Sequence, residues 1–318
     1  MAHARSTSVA TGLAALVVPV LAVVLVALAG CSTTDGPQGA AVHRADPATC
    51  PGRVLTVVVS ISQWGDLADR LAGACASVTT VLASAAVDPH EFEPGTAAIA
   101  AFSDADLVVL NGAGYDQWAT DAVTNLDPVP VVLAAAALAG RPGNPHLWYD
   151  PAVVSRMAQA LTARLSALSP RAAGYFTARH QDWTAAAQPY VTAIATLRLR
   201  AAGRHYAATE TVFDPMAGAL GLIDRTPPGY RRSVSNGSDP APGDLQAFRT
   251  ALARHRVDVL IDNVQTSGSV PEQLRAAAQA AGVPVVPVTE SPPSGSGSFV
   301  AWQTAELRAL AGALGAAR

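Results

Sequence analysis

Short β-branched runs alternate with Ala/Leu-rich stretches along most of this chain, and one long helical pattern cuts the alternation in two. From Arg53 onward, Val54–Ile61, Val78–Leu82, Leu107–Leu110 and Val129–Leu133 read as buried strands with helical segments between them. Continuous apolar strands separated by helices call for parallel sheets with crossover helices. Asp150-Pro151 then supplies an N-cap and an N1 proline. Val153, Met157, Leu161 and Leu165 follow at four-residue spacing as one helix face, ending near Ala167.

A second helical pattern opens at Ser169-Pro170 and runs through Phe176, His180, Trp183, Tyr190, Ile194 and Leu197 to about Ala201. Some thirty residues make a rod of roughly 45 Å. Pro189 removes a backbone donor inside it, so a kink or two helices in series is expected. Beyond it Tyr206–Thr209, Val257–Ile261 and Val283–Val288 read as strands, with helices over Asp244–His255, Pro271–Ala281 and Phe299–Leu314. The expected fold is α/β: two lobes, each a parallel sheet with flanking helices, joined by a long backbone helix. Thr226–Gly243, rich in Gly, Pro, Ser and Asn, reads as the longest irregular insert.

The N-terminus reads as an address. A single arginine, Arg5, precedes an apolar run over Leu13–Ala29, the layout of a secretory signal. A short membrane anchor is the alternative, although roughly 20 residues are needed to cross a bilayer. Leu28-Ala29-Gly30-Cys31 resembles a bacterial lipobox, which implies cleavage before Cys31 and its lipidation. The mean hydropathy of +0.26 owes much to this run. Ser32–Cys50 lacks an apolar period and reads as a tether. The expected divisions are 1–30 signal peptide, 31–52 lipidated Cys and tether, 53–169 N-terminal lobe, 170–201 linking helix and 202–318 C-terminal lobe. Cys50 and Cys75 are then an even number of thiols in an exported chain and are expected to pair, two buried thiols being the alternative.

With 24 acidic and 21 basic residues the formal charge is −3, which excludes a basic nucleic-acid binder. All the basic residues are arginine, so no lysine Schiff base or Walker lysine is available. The informative segments are loops after strands, where α/β folds place ligands. Asp88-Pro-His90-Glu91-Phe-Glu93-Pro and Asn144-Pro-His146-Leu-Trp-Tyr-Asp150-Pro each hold one histidine in a Pro-rich turn beside acids. Such a setting suits a metal: imidazole nitrogen binds it, and a neighbouring group can orient the other ring nitrogen. His43, His180, His205 and His255 stand alone and carry no such pattern. Asp88 and Asp150 read as caps or supporting groups.

These two histidine loops resemble those of the metal-binding lipoproteins that serve manganese/zinc-type ABC transporters, and the resemblance runs from Arg53 to Leu314. It implies two lobes joined by a helical rod, with one divalent cation in the cleft. His90 and His146 match the N-terminal-lobe ligands. Glu210, in Ala207-Ala-Thr-Glu-Thr-Val-Phe213, matches the third, where some members have histidine. Glu290, in Val286-Pro-Val-Thr-Glu290, stands where an aspartate is more usual, and Asp262 is the fallback fourth ligand. Ser294–Ser298 has the composition of a flap or a linker.

The resemblance further implies a zinc or manganese cargo, a permease and its ATPase as partners, a lipid anchor on the outer face of the cytoplasmic membrane, and a monomer. Two imidazoles and two carboxylates fit Zn²⁺, and also Mn²⁺ where the glutamates bind through both oxygens. No histidine lies between His90 and His146, whereas zinc-specific members often carry a His-rich loop there. Two other readings are a cell-surface adhesion protein and a secreted metallohydrolase with Glu91 or Glu93 as base. Four protein ligands would close the coordination position that such a hydrolase needs for water.

Overall fold

The computed structural model describes residues 40–85, 92–140 and 143–315. The lipobox with Cys31, and the first histidine loop with His90, lie outside them. The described residues belong to one compact unit.

Two sheets form. The first has the order β1-β3-β2-β4-β5, built from β1 (Ala41–His43), β2 (Leu55–Ile61), β3 (Ala76–Leu82), β4 (Leu107–Leu110) and β5 (Val131–Ala134). All its pairs are parallel except β1 on β3. The second, fully parallel, has the order β7-β6-β8-β9, from β6 (His205–Ala208), β7 (Ile223–Asp224), β8 (Val259–Asn263) and β9 (Val285–Val288). Strands covered on both faces are largely apolar: β4 and β8 are buried at every position, β4 apolar throughout and β8 polar only at its carboxyl end, Asp262-Asn263. In each sheet the chain leaves its first parallel strand to one side and later returns to the other. This creates a switch point between β2 and β4 and another between β6 and β8, where side chains at the strands' carboxyl ends are free to meet a ligand.

Between the sheets the backbone is helical. Asp150 caps the helix Pro151–Leu168 through Ala152 N–H (2.8 Å) and Val153 N–H (3.2 Å). The rod is two helices in series, Ala173–Ala186 and Gln188–Ala201, meeting at Ala187. The break is where the sequence dictates it, because Pro189 has no N–H to continue the ladder and instead occupies the first turn of the second helix. The last helix, Phe299–Ala313, packs against that second segment. A single apolar cluster runs from β2 (Val57, Val59) through Met157, Phe176, Trp183 and Leu197 into Ile261, Val288 and Trp302. The lobes therefore share a packed interior, which resists large rotation between them.

Two expectations are corrected. The segment read as a tether carries β1, which covers the edge of β3; backbone groups of an open edge need a partner, and a three-residue strand was too short to show a period. Thr226–Gly243 is not irregular throughout, since Pro228–Ser235 is helical. Pro228 pre-sets the first turn, and Arg231 binds Asp214 (2.7 Å) and Asp224, pinning the helix to the sheet. Cys50 and Cys75 are disulfide-bonded. The bond joins the chain after β1 to the turn that begins at Gly73, where φ is +51° and a Cβ would stand 2.3 Å from Tyr175 Oη.

Candidate metal centre

His146 is fixed before any ligand arrives. Asn111, at the end of β4, donates Nδ2 to the Pro145 carbonyl (2.9 Å) and is itself held by Trp64 Nε1 (3.1 Å). Asn144 Oδ1 accepts from both the His146 backbone N–H (2.9 Å) and Nδ1 (2.7 Å), while Asn144 Nδ2 donates to the Thr211 carbonyl (2.6 Å). An amide oxygen only accepts, so Nδ1 carries a proton, and in the neutral ring the lone pair is on Nε2. Nε2 is buried without a hydrogen-bond partner, and the edges of Tyr115 and Trp148 enclose the ring. A buried nitrogen with an unused lone pair is costly unless something electrophilic completes it.

Facing it is Glu290, just past β9. Its Oε1 stands 3.6 Å from His146 Nε2, and its Oε2 accepts from Tyr115 Oη (3.0 Å). Gln63, in the first turn of the helix Ser62–Ala72 that follows β2, donates Nε2 to the Glu290 carbonyl (2.9 Å). Tyr115 is delivered by a loop in which Gly112, Ala113 and Gly114 all have positive φ (73°, 56° and 81°). Asp116 holds that loop by accepting from the backbone N–H groups of Asn111 and Gly112, both at 2.7 Å. At Gly112 a side chain would also strike Ala136, 2.9 Å away.

Glu210 follows β6, and Asn263 ends β8. Asn263 Nδ2 donates to Glu210 Oε2 (2.6 Å) and lies 3.3 Å from Glu290 Oε1. One neutral amide thus stands between two carboxylates. Burial raises the Glu210 pKa; hydrogen bonds from Asn263 and Thr266 oppose this, and the negative charge of Glu290 adds to it. His146, Glu210 and Glu290 are therefore gathered where the two switch points meet. Among the described residues no three metal-binding groups are close enough to hold an ion by themselves.

Asp262, the fallback ligand, does not join this group. Alternation along β8 sends its side chain away from that of Asn263, to an ion pair with Arg275 at 3.0 Å. Asp150 is the helix cap described above, and Glu93 is exposed. Sequence reasoning missed Tyr115, Asn263, Gln63 and Asn111. The signal was available for Asn263 and Asn111: each is a polar residue at the carboxyl end of a strand beside a switch point.

Residues 57–313 match the family model described as ZnuA, zinc-uptake complex component A, periplasmic. The chain is similar to the manganese-binding lipoprotein MntA of Halalkalibacterium halodurans, with 30% identity over 138 residues, 42% of this chain and 46% of that protein. It is also similar to the high-affinity zinc uptake system protein ZnuA of Bacillus subtilis, with 22% identity over 215 residues, 61% of this chain and 66% of that protein. The matched regions thus span less than two thirds of either relative. Among solved structures, the periplasmic zinc-binding protein TroA of Treponema pallidum shares the fold. Its TM-score is 0.69 at 20% identity, and 82% of this chain covers 99% of that one.

Proposed function

The chain belongs to the ZnuA family of periplasmic zinc-uptake components, and on that premise we propose that it captures a divalent cation, zinc or manganese, as cargo for a membrane permease. The ion would be held by His90 and His146 from residues 53–169 and by Glu210 and Glu290 from residues 202–318, with 170–201 as the linking helix. The observation that carries this reading is His146 Nε2: buried, without a hydrogen-bond partner and 3.6 Å from a carboxylate oxygen of Glu290.

An arriving cation would take over what Asn263 now does, drawing the two carboxylates together with a stronger positive charge. The cargo is captured, not turned over. Two imidazoles and two carboxylates fill a tetrahedral shell and leave no place for a reacting water. The two relatives are named for manganese and for zinc, in keeping with a mixed N/O donor set. The shared apolar interior favours small lobe adjustments on loading. Cleavage before Cys31 and its acylation would hold a monomer on the outer face of the cytoplasmic membrane, beside a permease and its ATPase. No helix of the described residues is long and apolar enough to cross a membrane.

The test is elemental analysis of the full chain purified in detergent, followed by competitive Zn²⁺ and Mn²⁺ titration. One equivalent of metal, lost in His90→Ala and His146→Ala, supports the reading. Absence of metal binding at any pH above 7 rejects it.

A further inference from the structure

Glu306, on the helix Phe299–Ala313, is buried and outside the group of metal-binding candidates, yet it touches the segments that carry two of them, His146 and Glu290. Its Oε1 accepts from Thr289 N–H (3.0 Å), Thr289 Oγ1–H (3.3 Å) and Trp302 Nε1–H (2.8 Å). Its Oε2 lies 2.7 Å from Tyr149 Oη, which lies 2.8 Å from the Thr289 carbonyl oxygen. Tyr149 sits in the short turn that follows His146, and Thr289 immediately precedes Glu290.

Counting protons shows which state of Glu306 satisfies every acceptor of this cluster. The Thr289 carbonyl can only accept, and Tyr149 has one hydroxyl proton. With Glu306 ionised, that proton would have to serve two acceptors, in a pocket walled by Phe213 and Trp302. With a proton on Oε2, Glu306 donates to Tyr149 Oη, and Tyr149 donates to the Thr289 carbonyl. That chain leaves no acceptor of the trio unsatisfied. Tyr149 is the titratable group facing Glu306 from the His146 segment, while Thr289 and Trp302 carry no charge. Burial pushes the Glu306 pKa up to about 7, against the hydrogen bonds from Tyr149, Trp302 and Thr289.

We propose that Glu306 is the positioning residue of the metal site, a neutral carboxylic acid that ties the His146 segment to the Glu290 segment and so sets the spacing of those two ligands. The inference rests on the metal-capture reading. A glutamine amide reproduces the neutral acid, donating Nε2–H to Tyr149 and accepting through Oε1.

The test compares the full-length wild type with Glu306→Gln and Glu306→Ala in detergent, measuring Zn²⁺ and Mn²⁺ dissociation constants against a chromophoric chelator from pH 6 to 9. At pH 7, Glu306→Gln should bind within about threefold of wild type and Glu306→Ala about tenfold more weakly or worse. As pH rises, the wild type should lose affinity relative to Glu306→Gln, a change that a purely structural role would not produce. Wild-type affinity in Glu306→Ala overturns the proposal, and so does a Gln variant as weak as Ala. If Glu306→Ala does not fold, a constant ratio between wild type and Glu306→Gln across the pH range overturns it. A wild type that binds neither metal rejects the capture reading itself, a separate result.

Discussion

His146 Nε2 and Glu290 Oε1 lie 3.6 Å apart, brought together from the two lobes, with no hydrogen bond joining them. A lone pair facing a carboxylate oxygen in a buried place is repulsive until a positive charge comes between them. The surrounding bonds hold both atoms there before loading, so the cost of organising the site is met during folding and not by the ligand.

His146→Ala and Glu290→Gln should therefore each weaken Zn²⁺ binding by about 100-fold or more. Asn144→Ala should cost about 10- to 100-fold, because it releases the tautomer and orientation of a ring that it leaves intact. Competitive titration against a chelator of known affinity checks all three. An Asn144→Ala protein with wild-type affinity would show that the bond to Nδ1 does not matter.

Asp262 and Glu290 make a contrasting pair. Asp262→Asn should leave metal affinity within about twofold and lower stability by about 1–3 kcal/mol, since a buried partner of Arg275 loses its charge. Chemical denaturation paired with metal titration separates the two effects.

Much of this was legible in the sequence because buried parallel strands and capped helices have short-range signatures. The β-branched runs locate seven of the nine strands among the described residues, and Asp150-Pro151 marks a helix start by its own chemistry. The misses have a common physical cause. β1 and β7 are only three and two residues long and are held by pairing to another strand, so no local period announces them. The helix Pro228–Ser235 is hidden by its proline-rich entry and is fastened by Arg231 to carboxylates elsewhere. Within the site, the ligand candidates belong to recognisable loops, whereas Tyr115 and Asn263 acquire their roles only through contacts across the fold.

Stability should fall as pH rises through the weakly acidic range. Burial pushes the pKa of Asp69 up to about 6 and that of Glu306 up to about 7. Between their ordinary values and these, the folded protein binds more protons than the unfolded chain, so unfolding free energy decreases with pH across about 4 to 7. For Glu306 alone the loss is about 3 kcal/mol. Denaturation midpoints at pH 5 and pH 8 measure it, and the decline should be shallower in Glu306→Gln. A wild type whose stability increases steadily over that range would contradict both assignments.

Reduction of the Cys50–Cys75 bond should lower stability without touching metal affinity. The bond closes a loop with a sequence separation of 25, which the chain-entropy model values at about 3–4 kcal/mol. Cys75 lies just before β3 begins, whereas Glu210, Asn263 and Glu290 stand at or beyond the carboxyl ends of their strands. The cross-link thus restrains the unfolded chain and fastens β1 to the sheet edge, at the amino end of β3. The double variant Cys50→Ser, Cys75→Ser should melt at a lower temperature than wild type and, while folded, bind Zn²⁺ within about twofold of it. A large loss of affinity in a folded double variant would mean that the β1 edge and the metal site are coupled through the first sheet.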